Sequence, residues 1–334
     1  MMRNGYRTTA GWRSAVILVF LVLAVCGMLL GFTVGAVDVP LSEVVRVAWG
    51  ETNTEHYPIL WNIRFPRTIA AALAGIGLSL SGALLQGVMR NPMADPHIIG
   101  VSSGAGLLGI AMLLVFPSHG HLLVPAAFVG AMAAAFLIYA LAWDKGVSPM
   151  RIILSGVAVS ALLNSAISGL FTFYSDRVEG AVSFMVGSLA AKSWAHVDTL
   201  LPYTAAGAAL AWMAAQRMNV LMLGDATARS LGLPVEGYRL FFTAVGTLLA
   251  ASSVSVVGLL GFVGLIVPHA ARLLVGNDYR VLLPCSALLG VIVMTACDTL
   301  ARVAFAPVEL PVGIVTGIIG APFFLYLLRR KARL

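Results

Sequence analysis

Four polar residues, Ser160, Asn164, Ser168 and Thr172, recur every fourth position in a stretch, Ile152 to Ser175, that holds no Asp, Glu, Lys or Arg. That spacing keeps them near one face of a helix. Polar groups in an apolar run face a bundle interior or a water-filled path, and they also serve as hydrogen-bonding glue between helices. Both readings stand, pore lining and packing. Arg64 and Arg67 lie three apart and project to similar sides, while Arg302 follows Asp298 at the four-residue spacing that allows pairing along a helix. These arginines read either as interfacial side chains reaching for water or as a positive surface for an anion or an acidic partner. A third constellation is Gly224-Asp225-Ala226-Thr227-Ala228-Arg229-Ser230-Leu231-Gly232-Leu233-Pro234. It predicts a short helix between breakers, with Asp225 capping its start and Gly232 closing it. Such a segment is a connector, or an element that enters a cleft of a cytosolic motor.

Catalytic patterns are missing from the sequence. It contains no Walker loop, HExxH, GxSxG or paired CxxC, and its six histidines make no ligand pair at helical spacing. His97 and His269 read as structural residues at the inner interface. Cys26, Cys285 and Cys297 all fall in apolar runs, which argues against disulfides and thiol chemistry.

The elements that position these residues are membrane helices. Of 334 residues 60% are hydrophobic and 10% charged, against about 25% charged in soluble domains. Ser14 to Val37, Thr68 to Met89, Ile152 to Ser175 and Leu310 to Leu328 are each free of charge. A helix rises about 1.5 Å per residue against a hydrocarbon core of about 30 Å, so such runs span it. About ten helices are expected: 14–36, 66–89, two within 96–143, 150–174, 198–216, two within 240–271, 280–304 and 311–328. Leu41 to Val45 can start a surface helix, and Ala181 to Ala191 a half-helix. The 32 residues from Leu240 to Ala271 are too long for one crossing, and Gly258, Gly261 and Gly264 offer the break, making one crossing partial. With ten helices the loops are short, so residues 1–334 form one membrane domain, an all-α bundle, with 223–234 as a cytoplasmic segment inside it. Five helices per half would make any internal repeat an inverted one.

Orientation follows from charge. With the amino terminus inside, inner segments hold 15 of the 21 Lys and Arg, and the outer segments hold Arg46, Arg64, Arg67, Arg177, Lys192 and Arg302. This positive-inside bias puts both termini in the cytoplasm and assigns the +7 net charge to the membrane surface rather than to nucleic acid. The first span lacks a small-residue cleavage site, and Leu23-Ala24-Val25-Cys26 is a poor lipoprotein box, so it reads as a retained helix.

Seven ordered motifs resemble the FecCD-type permease family, the membrane subunits of iron-siderophore, haem and cobalamin importers. They are Arg64-Phe65-Pro66-Arg67, Ser81-Gly82-Ala83-Leu84-Leu85-Gln86, Arg90-Asn91-Pro92-Met93-Ala94-Asp95-Pro96, Gly100-Val101-Ser102-Ser103-Gly104-Ala105, the Gly224–Gly232 segment, Gly261-Phe262-Val263-Gly264-Leu265-Ile266-Val267-Pro268-His269, and Glu309-Leu310-Pro311-Val312-Gly313 with Gly320-Ala321-Pro322. The resemblance covers nearly the whole length beyond the first helix. It implies ten helices per subunit, a homodimer or close heterodimer, and a pathway at the dimer axis to which Ser160, Asn164, Ser168 and Thr172 contribute. It further implies two cytoplasmic ATPase subunits, which hold ATP and magnesium and grip Gly224, Asp225, Ala226, Ala228, Arg229 and Gly232. No cofactor is expected on this chain itself. By similarity to the cobalamin importer, Arg64, Arg67 and Arg302 meet acidic residues of a periplasmic or surface-anchored binding protein.

The expected function is therefore the permease subunit of a binding-protein-dependent ABC importer in the bacterial cytoplasmic membrane, for an iron chelate such as a ferric siderophore. Haem or cobalamin import is the alternative substrate reading. An ion-coupled secondary transporter is the rival from another class, but it would need buried acids, and Asp298 already has Arg302. A membrane-embedded enzyme would need a nucleophile or metal cluster, and none is evident.

Overall fold

The computed structural model describes residues 9–331 except 36, 97–99, 145 and 147, so His97 and Lys145 lie outside it. Among the described residues the regular secondary structure is helical, with no strand. Helix α1 (Ala10–Thr33) opens on Thr9, whose hydroxyl accepts the Trp12 N–H at 3.4 Å. The expected surface helix forms as α2 (Leu41–Ala48). Helix α3 (Tyr57–Ile59) passes through a π-helical turn, Leu60–Arg64, into α4 (Phe65–Val88). Next come α5 (Val101–Val115), α6 (Leu123–Ala142) and α7 (Pro149–Phe173), the last capped by the Ser148 hydroxyl. The half-helix α8 (Val178–Val186) precedes α9 (Trp194–Met213), α10 (Ala215–Leu221) and α11 (Asp225–Ser230). The chain ends with α12 (Val235–Val257), α13 (Val263–Val275), α14 (Tyr279–Val303) and α15 (Val312–Lys331).

Six helical segments are long and apolar enough to cross a bilayer: Ala10–Thr33, Tyr57–Val88, Pro117–Ala142, Met150–Phe173, Val235–Val257 and Tyr279–Val303. Three apolar helices are shorter, and α9 is the remaining long one. This is a multi-pass membrane protein. Hydrogen bonds fix which ends lie together. The Trp12 indole donates to Leu274 O at 2.9 Å and Arg13 faces Asp278 at 3.6 Å, so α1 starts where α13 ends and α14 begins. At the opposite face, Gly313 N–H donates to Gly187 O at 3.1 Å, so α15 starts on the outer side and runs inward.

Helix α4 is the axis of the bundle, packed by α9, α12, α13 and α14, and 89% of its most apolar window is buried. In lipid there is little hydrophobic drive between helices, so close packing must come from small residues that let backbones approach. Gly82 shows the requirement: a Cβ there would lie 1.8 Å from Gly264 O on α13.

The chain breaks between 240 and 271 at the first of the three expected glycines. Helix α12 ends at Gly258, whose φ of +83° suits a residue without a Cβ. Helix α13 has only 13 residues, about 20 Å, and is a partial span. Two of the polar backbone groups at this break are satisfied by α8 and the residues just after it. Ser188 N–H donates to Val257 O at 2.8 Å, and Leu259 N–H donates to Phe184 O at 2.9 Å. One expectation is corrected here: α12 starts at Val235 rather than Leu240, taking Glu236 and Arg239 into the helix because they pair.

Candidate functional site

At the outer end, two guanidiniums, those of Arg64 and Arg302, converge on the end of α1, and a third, Arg67, joins them through Asp298. Arg64 donates to Phe32 O at 2.8 Å and Thr33 O at 2.7 Å, and also bonds Val37 O. Arg302 donates to Gly31 O at 3.1 Å and Val34 O at 3.2 Å. Carbonyls at a helix carboxyl end lack intrahelical donors and carry partial negative charge, so they attract cations. Arg67 donates from Nε to Asp298 Oδ1 at 3.0 Å and from Nη1 to Glu309 Oε2 at 2.7 Å. Asp298 also pairs with Arg302 at 3.3 Å, the four-residue helical pair expected from the sequence. The Asp298 side chain is 2% exposed and that of Arg67 7%, whereas Glu309 is 43% exposed.

This geometry corrects the expected outward display of Arg64, Arg67 and Arg302. All three are buried, and their donors are directed at partners within the chain. They tie α1, α4, α14 and the loop before α15 into one outer rim. Glu309, which opens the Glu309-Leu310-Pro311-Val312-Gly313 motif and has no expected role, enters this network as a partner of Arg67.

The polar stripe lies on α7, where Ser160 is half-buried and Asn164, Ser168 and Thr172 are exposed. Ser165, which sequence spacing did not select, lies exposed beside them. Ser165, Ser168 and Thr172 hydroxyls donate to the carbonyls of Ala161, Asn164 and Ser168 at 2.9–3.0 Å, so they are satisfied within the helix. Asn164 is different: among the described residues its amide side chain has no hydrogen bond. An amide left bare in hydrocarbon is costly. The helix as a span is only 22% buried within the chain.

On the inner side, α11 sits between two residues that need no Cβ, Gly224 (φ +105°) and Gly232 (φ +78°). Gly232 closes it as expected, with its N–H on Arg229 O and Leu233 N–H on Ala228 O, both 2.9 Å. The expected Asp225 cap is corrected. Gly224 is the cap position and no side chain caps it, because the Asp225 carboxylate is drawn to the guanidiniums of Arg239 and Arg90. Ala226 and Arg229 are exposed, and Ala228 is buried against the bundle with Leu233.

The chain is thus a helical membrane bundle with an exposed polar stripe on α7, a braced outer rim and an inner helix that displays Ala226 and Arg229. A family model, the FecCD transport family, matches residues 17–330. An Fe(3+)-citrate import system permease protein of Bacillus subtilis is 37% identical over 333 residues, covering all of both chains. A cobalamin import system permease protein of Halobacterium salinarum is 46% identical over 275 residues, 82% of this chain and 74% of that one. A solved metal-chelate type ABC transporter in an inward-facing conformation superposes with a TM-score of 0.85 at 28% identity, covering 95% of this chain and 99% of the other. The chain belongs to the FecCD transport family. Its members are membrane permeases that work with an ATPase partner and a substrate-binding protein.

Proposed function

We propose that this chain is the permease of an importer for an iron chelate, in the cytoplasmic membrane of a bacterium. Two copies face each other across the α7 stripe, and each is driven by one of two cytoplasmic ATPase subunits that carry ATP and magnesium. The observation that carries this reading is Asn164, a mid-helix amide on an exposed face that needs water or a second subunit beside it. Ser160, Ser168 and Thr172 extend that face into a path, and lipid covers the apolar remainder. The α11 segment, from Gly224 to Gly232, is read as the contact with the ATPase because it displays Ala226, Arg229 and Leu231 on the inner side. Burial of Arg64, Arg67 and Arg302 supports an indirect docking role: they fix the outer rim on which a periplasmic or surface-anchored binding protein sits.

For the substrate, the Bacillus permeases for Fe(3+)-citrate and for iron(3+)-hydroxamate support an iron chelate. The Halobacterium cobalamin permease, at 46% identity, favours cobalamin as the second reading. The test is to purify the permease with its ATPase and binding protein and compare uptake of ferric citrate, a ferric hydroxamate and cobalamin in vesicles. Uptake of an iron chelate alone supports the first reading, and uptake of cobalamin alone replaces it with the second. Replacing residues 226–231 with a Gly-Ser stretch should release the ATPase while leaving the permease dimer. Retained ATPase and transport would remove α11 from that contact.

A further inference from the structure

Helix α11 meets its neighbours at two glycines. Gly224 and Gly232 flank it in left-handed conformations, and a Cβ at either would meet nothing within 4 Å. Glycine tolerates many backbone conformations, so these joints would pass a force on α11 poorly if the backbone were the only connection. It is not. Asp225, the first residue of α11, presents both carboxylate oxygens to Nη2 of Arg239 at 3.0 Å each. Arg239 lies in the second turn of α12, and its side chain is only 3% exposed. Its other terminal nitrogen donates to Glu236 at 3.1 Å, and Glu236 in turn faces Arg229 of α11 at 3.5 Å. The same Asp225 oxygen also accepts from Arg90, a residue with φ of +47° just past the end of α4.

We infer that Asp225, Arg239 and Arg90 form a clamp that passes the movement of α11 into α12 and the end of α4, so that Arg239 is a positioning residue for energy coupling. The inference rests on the reading of α11 as the ATPase contact. Helix α12 suits the task. It is 78% buried along its most apolar stretch, and its far end is tied to α8 and the residues just after it, through Leu259 N–H on Phe184 O and Ser188 N–H on Val257 O. One rigid element thus links the inner contact to the half-helix beneath the outer rim. Charge-assisted hydrogen bonds anchored on a guanidinium that is itself buried give such a joint both strength and direction, although Asp225 and Arg90 are each 34% exposed.

The test uses the full complex of permease, ATPase and binding protein in vesicles. Arg239→Gln should keep the ATPase bound and hydrolysing, while substrate imported per ATP falls at least tenfold. Arg239→Lys, which retains the charge, should recover most of that ratio. Asp225→Asn added to Arg239→Gln should cost little more, because both act through one joint. This double variant also leaves neither Asp225 nor Arg239 as a charge without the other, so it reports even where Arg239→Gln alone fails to assemble. An unchanged import-to-ATP ratio in Arg239→Gln, additive losses in the pair, or full coupling in the double variant would each overturn the clamp. If the Gly-Ser replacement of residues 226–231 uncouples transport and Arg239→Gln does not, the clamp alone fails. If that replacement leaves transport intact, the reading of α11 fails with it.

Discussion

Replacing Asp298 by Ala should damage the permease far more than replacing Glu309 by Gln, although both carboxylates pair with the same Arg67. The contrast follows from burial. Asp298 is 2% exposed and stands between Arg67 and Arg302, whose side chains are 7% and 5% exposed. Its removal leaves two guanidiniums in a dry site with one fewer anion. Breaking a buried pair in this way costs about 3–5 kcal/mol, a large part of a total stability of about 5–15 kcal/mol. Glu309 is 43% exposed, and an ion pair open to water contributes only about 0.2–1 kcal/mol. The gap between the variants should thus be at least about 2 kcal/mol, or roughly thirtyfold in the folding equilibrium. Reversible unfolding in mixed micelles reads that gap, and affinity for the binding protein is measured on the same samples. The expected result is an unstable Asp298→Ala permease whose docking is lost with its fold, beside a Glu309→Gln permease close to the parent. Equal stabilities would refute the bracing role of the network. A stable Asp298→Ala permease that has lost docking would return the arginines to the surface.

Other outcomes follow from single positions. Gly82→Ala should cost about 1–3 kcal/mol or more, because its Cβ would meet backbone Gly264 O, whereas Gly237→Ala on an exposed turn of α12 should stabilise by about 0.4–1 kcal/mol; thermal unfolding of both variants checks this. Cysteine at Asn164, Ser168 or Thr172 should react with a charged thiol reagent in at least one nucleotide state, while cysteine at Ile167, 5% exposed, stays protected; uniform protection would make the stripe a packing surface. Cysteine at Leu162, exposed within the chain, should also react poorly because its face meets lipid. Burial pushes the Lys192 ammonium in the outer loop down to about 8, so its dimethylated form should titrate near that pH by carbon NMR rather than near 10.5.

The spans were legible because a bilayer imposes one rule, an apolar run with internal backbone bonds, and that rule acts locally. It located α1, α4, α7 and α14 to within a few residues, except where polar residues join the helix. Arg239 sits in α12 paired with Asp225 and Glu236, and no run of uncharged residues reveals a partner across a loop. The same limit hid the outer network. Asp298 and Arg302 share a helix, so their pairing was readable from the spacing. The union of Arg67 with Asp298 joins residues 231 apart, and Arg64 is spent on the carbonyls of α1, which carry no sequence signal. Asp225 looked like a cap because capping is local, and a distant guanidinium outbid the backbone for it. On α7 the four-residue spacing marked the exposed face but drifted around the helix. Its first member, Ser160, therefore falls at the edge of the packed side and Ser165 joins the open one.

The central claim is that this permease moves a chelate through a path powered by ATP hydrolysed on a partner. It is tested most directly by reconstituting the permease with its ATPase in vesicles, adding binding protein and radiolabelled ferric chelate outside, and supplying ATP inside. The account predicts accumulation that needs internal ATP and the binding protein and survives collapse of every ion gradient. Accumulation that persists without the ATPase and stops when the ion gradients are collapsed would contradict it.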